Sequence, residues 1–176
     1  GPEQFFGITG DSDLHIESSD GYPLLYRVLD GDMLLPNVKK LKTAVVVPGL
    51  NLSLKRAMKS FILSCAARLL RGQDKSHNSM LIHVTHYVNA QDQIFNKVDE
   101  ELERLRNIIY NAGPDHSLWQ DLKSIWNVEY TKTSQILSRN ERIKAKVHAW
   151  KEVKPYVREA IERMVVNQVN GNSSDA

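Results

Sequence analysis

Two carboxylates and a lysine in this chain of 176 residues have the order found in metal-dependent nuclease sites. Asp115 follows a proline, and Glu152 and Lys154 stand two residues apart, so the carboxylates could bind a divalent cation while the lysine assists an attacking water. The segment around Glu152 is, however, patterned as a helix, on which residues two apart point in different directions. Asp115 precedes an amphipathic segment and is expected to cap it. We therefore predict no catalytic residue and keep a metal-dependent endonuclease domain as an alternative.

A second set of residues has the chemistry to bind phosphate. Arg68 and Arg71 stand at the predicted end of a helix, where guanidinium groups can hold phosphate oxygens through paired N–H bonds. The same pattern arises if both arginines only solvate the outer face of the helix. The candidates for nucleic-acid or phosphate contact are the two arginines and the polar residues that follow: Arg68, Arg71, His77, Asn78, Thr85, His86 and Gln91.

The histidines and the cysteine do not predict a metal site. His77, His83 and His86 are close in sequence, but positions 83 and 86 of a strand point to opposite faces, which keeps them from sharing an ion. The single cysteine, Cys65, excludes an internal disulfide and a cysteine-based zinc site and fits a reducing cytoplasm. We predict a cytoplasmic protein with no metal and no cofactor in this chain.

Composition limits the classes of function. The chain has 23 basic and 21 acidic residues, which give a formal net charge of +2 and no global signature of a polyanion-binding protein. Any contact with nucleic acid must therefore be local. A hydrophobic content of 41% is enough to build a core. No apolar run approaches the roughly 18 residues of a membrane span, and the N-terminus lacks a signal-peptide pattern. We expect no membrane association.

The elements that must position these residues begin with a helix. Ser53 is a good N-cap, and Gly72 provides a C-terminal stop. Between them the apolar residues step by three or four positions, as on one helical face: Leu54, Met58, Phe61, Cys65 and Leu69. Residues 79–86 then carry apolar side chains on both alternating faces, which is typical of a strand buried in a parallel sheet.

A strand of that kind is followed by a crossover helix. Asn89 can cap this helix, and Gly113 with Pro114 ends it. Its apolar stripe is Ile94, Val98, Leu102, Leu105 and Ile109. Asp115 is then expected to cap a third amphipathic segment.

The predicted domain organisation follows from these elements. Residues 1–52 are rich in turns with short candidate strands, which indicates an irregular N-terminal extension. The domain proper covers 53–176 and contains a helical insertion at about 113–149, of which residues 129–147 are expected to face solvent or a partner. A last helix over 150–163 leads into a strand at 165–169. We expect the chain to be a piece of a larger protein.

Four short motifs resemble those of the Z1 (Z-one) domain, which occurs in superfamily-two helicase-like proteins that are often labelled endonucleases. They are a Ser-Leu helix start at Ser53, A-A-R-L-L-R-G over 66–72, H-N-S-M-L-I-H-V over 77–84 and V-N-G over 169–171. The resemblance is tight over 53–98 and looser towards the C-terminus. It implies the start of a RecA-like second lobe, an α/β fold with parallel strands and crossover helices.

The resemblance also implies a function. It points to a nucleic-acid-binding and coupling module of a helicase-like DNA ATPase in bacterial defence or restriction, whose partners are DNA and the other lobes of the same parent protein. ATP and magnesium belong to the parent, because this chain has no G-x-x-x-x-G-K-S/T phosphate loop, and no catalysis is expected from it alone. A further alternative is a protein-interaction module whose helical insertion recruits a partner ATPase or nuclease.

Overall fold

Helices form the regular structure of the described part of the chain. A computed structural model describes residues 46–83, 88–138 and 146–169. The elements are α1 (Leu52–Leu70), α2 (Val88–Asn111), α3 (Ser117–Ile125), a π-helical turn (Trp126–Thr131), α4 (Lys132–Ser138), α5 (Trp150–Val153), a 3-10 turn (Lys154–Tyr156) and α6 (Val157–Glu162). None of the described helices is both long and apolar enough to cross a membrane.

The prediction of an α/β, RecA-like fold is wrong, because the described residues contain helices and irregular segments but no strand. Residues 79–83, the described part of the first predicted strand, are irregular, and residues 84–86 lie outside the described ranges. The physical reason is that this segment is buried on one side only. Met80 and Ile82 are half-buried, whereas Leu81 is 89% exposed. A strand of a parallel sheet is covered on both faces.

The other predicted strands do not appear either. Residues 165–169 are irregular, and no backbone hydrogen bond joins them to residues 79–83. In the N-terminal extension only residues 46–52 are described. They are irregular up to the start of α1. The short strands predicted nearer the N-terminus lie outside the described residues.

The start and the buried face of α1 differ from the prediction. Asn51 is the N-cap instead of Ser53, and its Oδ1 accepts a hydrogen bond of 3.2 Å from the Leu54 N–H. The buried residues of α1 are Met58, Ile62, Leu63, Ala66 and Ala67. Two of these are alanines, which allow a neighbouring helix to come close. A prediction from the spacing of large apolar residues leaves alanines out. The predicted positions 61, 65 and 69 are only half-buried.

The end of α1 is the predicted one. Gly72 has a φ of +70°, in the left-handed region that favours glycine. The Gly72 N–H donates to Leu69 O and the Gln73 N–H donates to Arg68 O, each at 2.9 Å. These two bonds form a Schellman motif, which satisfies carbonyls that would otherwise lack partners at the helix end. The loop therefore leaves α1 in a fixed direction.

The prediction for α2 is confirmed on its buried face. All five predicted residues are buried: Ile94, Val98, Leu102, Leu105 and Ile109. The helix begins at Val88, one residue before the predicted cap Asn89, and ends at Asn111 just before Gly113 and Pro114. Large apolar residues at steps of three and four fill one helical face, so this stripe is readable from the sequence.

The predicted cap of the third segment is wrong by one residue. His116 is the N-cap of α3, and its Nδ1 accepts a hydrogen bond of 3.1 Å from the Leu118 N–H. Asp115 is exposed in the preceding turn. Aspartate is the commoner capping residue, but a histidine with an unprotonated Nδ1 can accept the same bond.

The π-helical turn joins α3 and α4 into one continuous helical rod. Ile125, Trp126 and Lys132 at its junctions all have right-handed helical dihedrals. The Trp126 ring is buried and stacks on Tyr130 with ring centroids 4.9 Å apart and an interplanar angle of 7°. Trp126 and the half-buried Tyr130 of this turn therefore pack on the core.

The last predicted helix is confirmed in three consecutive pieces, α5, the 3-10 turn and α6. Pro155 lies in the 3-10 turn, because its ring and missing N–H do not fit the interior of an α-helix. The buried residues of these pieces are Val153, Val157, Ala160 and Ile161.

The core lies around α1. This helix packs against α6, α3, α5 and the 3-10 turn, and α2 packs against α6. Arg106 of α2 donates from Nη2 to Ile161 O at 3.2 Å and to Met164 O at 3.0 Å. These bonds satisfy carbonyls at the end of α6 and hold the start of the irregular segment 164–169 against α2.

Candidate functional site

In the first half of α1, Arg56 and Lys59 form ion pairs within the fold. The Arg56 Nη2 lies 2.7 Å from Glu129 Oε1 in the π-helical turn, and its Nε donates to the same oxygen at 2.9 Å. The Lys59 Nζ lies 2.9 Å from Asp121 Oδ2 of α3. Both pairs join parts of the chain that are distant in sequence. The carboxylates of the helical rod therefore neutralise two of the three cations in this half of α1.

Hydroxyl groups extend the same network. Ser60 Oγ donates to Glu129 Oε2 at 3.0 Å, and the Tyr130 hydroxyl donates to Ser60 O at 2.6 Å. Burial raises the pKa of the Tyr130 hydroxyl, so it stays protonated and remains a donor at neutral pH. The network joins the π-helical turn to α1, and its role is structural.

The other end of α1 is different. We use the name "basic end" for Arg68, Arg71, Lys75 and His77, which lie in the last turn of α1 and in the loop that follows. Arg71, Lys75 and His77 are exposed. Among the described residues no carboxylate forms an ion pair with any of these three. Asp74, the one acid of this loop, is also exposed and forms no ion pair with a described residue.

Arg68 holds the loop in place. Its Nη2 donates to His77 O at 3.5 Å, and its Nε is buried and has no hydrogen-bond partner in the described ranges. Asn78 Nδ2 donates to Cys65 Sγ at 3.2 Å. Burial raises the pKa of the Cys65 thiol more than Asn78 and Arg68 lower it, so Cys65 is a neutral packing residue. Arg71 remains an exposed cation beside this fixed loop.

The structure brings together four of the seven predicted contact residues: Arg68, Arg71, His77 and Asn78. Gln91 lies apart from them on α2, and Thr85 and His86 lie outside the described residues. Lys75 joins the group although the sequence reading missed it. Its place between an Arg-Gly helix end and a histidine is the signal that could have found it.

The loop of the basic end leads into a groove of about 260 Å³ between α1 and α2. The irregular segments 80–83 and 164–169 form the walls of this groove. Three of the four methionines of the chain line it: Met58, Met80 and Met164. Gln91 is among its few polar residues. A methionine-rich apolar lining adapts to the shape of what binds it.

The rim of the groove exposes large apolar side chains. Leu81 is 89% exposed, Val165 81% and Val169 88%. All three line the same groove. Exposed apolar side chains grouped at one place mark an interaction site more often than scattered single residues do. The sequence analysis placed all three in predicted strands and so did not predict the groove.

The nuclease candidates have structural roles or no partner. Glu152 Oε2 accepts a hydrogen bond of 2.7 Å from the Ala149 N–H at the start of α5. That bond holds the pKa of Glu152 below its usual value. His148 is buried beside it, with Nδ1 3.8 Å from Glu152 Oε1. Within the described ranges no three His, Cys, Asp or Glu side chains are grouped so that they could hold a metal ion. Glu152 thus caps a helix.

Comparison with known proteins gives one match. A family model described as the Z1 domain matches residues 53–176, which include the basic end, the groove and all the described helices except the first residue of α1. Neither a curated protein nor a solved structure matched the chain.

Proposed function

The chain belongs to the Z1 domain family, and from that premise we propose that it is a nucleic-acid-binding module that contacts DNA phosphates through the basic end of α1. The observation that carries the proposal is the state of the cations. Arg71 and Lys75 are exposed and have no acidic partner among the described residues, whereas Arg56 and Lys59 in the first half of α1 are paired. Exposed cations at fixed positions can bind the phosphate groups of a nucleic-acid backbone.

The side chains must supply the attraction, because the C-terminal end of a helix carries partial negative charge and does not favour anions. The Schellman motif reduces this effect, since the N–H groups of Gly72 and Gln73 cover two of the last carbonyls. Arg71 can then approach phosphate with two N–H donors, and Lys75 with its ammonium group. With Asp74 nearby, binding is expected to be weak and strongly dependent on salt.

In this proposal the chain couples DNA binding to a helicase-like ATPase in bacterial defence or restriction. The other lobes of that parent protein supply the bound ATP and magnesium, and the residues of this chain supply only binding. A steady-state assay of phosphate release by the purified chain, with and without DNA, is expected to show no turnover. Turnover of even about 1 per second, within the usual range of enzymes, would refute this division of roles.

Binding of a short fluorescent single-stranded DNA, followed by anisotropy at low salt, tests the contact itself. Arg71→Glu with Lys75→Glu is expected to weaken binding by about tenfold or more, because two phosphate contacts become repulsive. Lys123→Glu with Lys132→Glu is the control, since it makes the same charge change at exposed lysines of the helical rod. Equal losses in both variants would show that only net charge matters and would contradict a site at the basic end.

A protein-interaction module is the second candidate, and the exposed apolar groove is the observation that favours it. Methionine-lined apolar grooves commonly accept protein segments. The endonuclease alternative finds no such support, because Glu152 caps α5 and Asp115 stands exposed without an ion pair to a described residue.

A further inference from the structure

The groove between α1 and α2 is bounded by two segments whose side chains alternate as they do along a strand. In residues 164–169 the even-numbered side chains are half-buried and the odd-numbered ones are exposed. Met80 and Ile82 are half-buried, whereas Leu81 and His83 are exposed. A period of two is the pattern of an extended chain that rests one face on a core. Each segment therefore turns one face to the helices and the other to solvent.

The main chain along the groove is unpaired. Within the described ranges, the backbone N–H and C=O groups of residues 80–83 and 165–169 form no hydrogen bond. Unpaired backbone groups beside an apolar surface are a template for an added strand. We propose that the groove binds an extended peptide of another protein, in which apolar side chains alternate and carboxylates stand at one end.

The two ends of the groove differ in charge. The N–H of Val47, shortly before α1, donates to Gln93 Oε1 at 2.9 Å, and the neighbouring Asp92 Oδ1 accepts from Gln168 Nε2 at 2.6 Å. This end of the groove therefore lies near the start of α1 and holds a carboxylate. The basic end lies at the opposite end, after the last turn of a helix of 19 residues. A helix of that length extends over roughly 28 Å.

A peptide with one acidic end matches this difference. Its carboxylates are attracted by Arg71 and Lys75 and repelled by Asp92, so charge fixes the direction in which the peptide lies. Both bounding segments run from the side of the basic end towards the start of α2. Antiparallel pairing is the more stable kind per residue. The carboxylates are therefore expected at the C-terminal end of the peptide.

The apolar side chains of the peptide find contacts on both of its faces. One face is expected to enter the groove, where the flexible side chains of Met58, Met80 and Met164 adapt to different apolar partners. The other face is expected to cover Leu81 and Val165, which are 89% and 81% exposed. The inference goes beyond DNA binding by the basic end, because the groove supplies the pairing and the apolar contacts.

Fluorescence anisotropy with a labelled peptide tests the inference. The probe is Val-Thr-Val-Thr-Val-Glu-Glu with fluorescein at its N-terminus, titrated with the full chain. Two control peptides keep its length. One ends in Lys-Lys, and the other has proline in place of both threonines, which removes two N–H donors. Each control is expected to bind at least about tenfold more weakly than the probe.

Variants of the chain separate the groove from the basic end. Leu81→Asn with Val165→Asn is expected to weaken binding of the probe by roughly tenfold and to leave DNA binding unchanged, because only exposed apolar side chains of the groove are altered. Leu52→Asn with Val128→Asn makes the same change at exposed apolar residues outside the groove and is the control. DNA binding without any binding of the probe would refute the peptide site and leave the DNA proposal standing.

Hydrogen exchange measured by mass spectrometry gives a second readout. The N–H groups of residues 80–83 and 165–169 are expected to exchange rapidly in the chain alone and several-fold more slowly with the probe bound. Slow exchange in the chain alone would show that the groove is already covered and would overturn the inference. Protection that rises with protein concentration would assign the cover to a second copy and would overturn it as well.

The binding data can also contradict the inference directly. No rise in anisotropy at about 1 mM chain would show that the groove does not take such a peptide. Equal binding of the probe and the proline peptide would exclude pairing through the main chain. Equal binding of the probe and the lysine peptide would exclude the assigned role of the basic end in orienting the peptide.

Discussion

In the first half of α1, Arg56 and Lys59 each meet a carboxylate from the helical rod, whereas at the other end Arg71 and Lys75 are exposed without an acidic partner in the described residues. The helix α1 and the loop that follows it thus carry two kinds of cation. The paired cations hold α1 to α3 and the π-helical turn. The exposed cations make no described contact that would explain them as part of the fold.

The positions of the charges on this chain therefore say more about its binding surface than their number does. A net charge of +2 hides the difference between two paired cations in the first half of α1 and the exposed cations of the basic end. Exposed like charges such as Arg71 and Lys75 repel each other slightly, and they contribute little to stability. We expect variants of the first half to lose stability and variants of the basic end to lose binding.

Glu129→Ala is expected to give the largest change in stability. It removes the acceptor of Arg56 and of Ser60, and both interactions are partly buried. The free energy of unfolding should fall by about 1–3 kcal/mol, as for loss of hydrogen bonds to a charged group. Urea denaturation followed by circular dichroism measures the change.

Glu159→Ala is the matched control for that variant. Glu159 pairs with Arg163 one turn away on an exposed helical surface, where such pairs contribute about 0.2–0.5 kcal/mol. If Glu129→Ala were as mild as Glu159→Ala, the network of the first half would not have the structural role assigned to it.

Gly72→Ala is expected to give the next largest loss of stability. Gly72 stands between Arg71 and Lys75 of the basic end. A side chain at φ +70° strains the backbone and should cost about 1 kcal/mol, although no atom lies within 4 Å of the added carbon. Gly113→Ala, also in open space but without a positive φ, should cost less. Thermal unfolding compares the two. Equal costs would show that the geometry of the Schellman motif is not what fixes the basic end.

A smaller effect is expected from pH at Glu101, a buried residue of α2 that Arg104 binds through two bonds of 2.8 Å and 2.6 Å. Burial alone would raise the pKa of Glu101, but Arg104, with Lys55 and Lys59, outweighs it and holds the pKa below the usual 4.5. Because the folded pKa is lowered, this stabilisation is present above pH 4.5 and disappears as the pH falls through the folded value.

Acid titration of stability checks this sign. Below pH 4.5 the native chain should lose stability more steeply than Glu101→Gln, which has no carboxylate to protonate. Glu103→Gln, on the exposed side of α2, is the control. Parallel acid curves for the native chain and Glu101→Gln would contradict the account of this ion pair.

Local signals were readable from the sequence, and signals that depend on tertiary contacts were not. The stripe of α2 was predicted because large apolar residues recur at helical steps. The buried face of α1 was misplaced because Ala66 and Ala67 contribute through close packing. Consecutive apolar residues at 80–82 suit a buried strand and the wall of a groove equally well, so the α/β prediction failed there.

In the candidate functional site, too, the local signals were predicted and the tertiary contacts were not. Arg68, Arg71 and His77 were predicted because a helix end and its loop bring them together within ten residues. The groove combines four segments of the chain, of which α1 and residues 164–169 are about 100 residues apart, and no spacing in the sequence shows that they meet. The role of Glu129 was also hidden, because its partners lie about 70 residues earlier in α1.

The most direct test of phosphate binding at the basic end is the salt dependence of DNA affinity. The logarithm of the association constant, plotted against the logarithm of salt concentration, has a slope of about −0.7 for each phosphate contact with single-stranded DNA. Arg71→Ala with Lys75→Ala should therefore reduce the magnitude of the slope by about 1.4, while Lys123→Ala with Lys132→Ala leaves it unchanged. An unchanged slope in the Arg71 and Lys75 variant, or binding that does not depend on salt, would contradict the account.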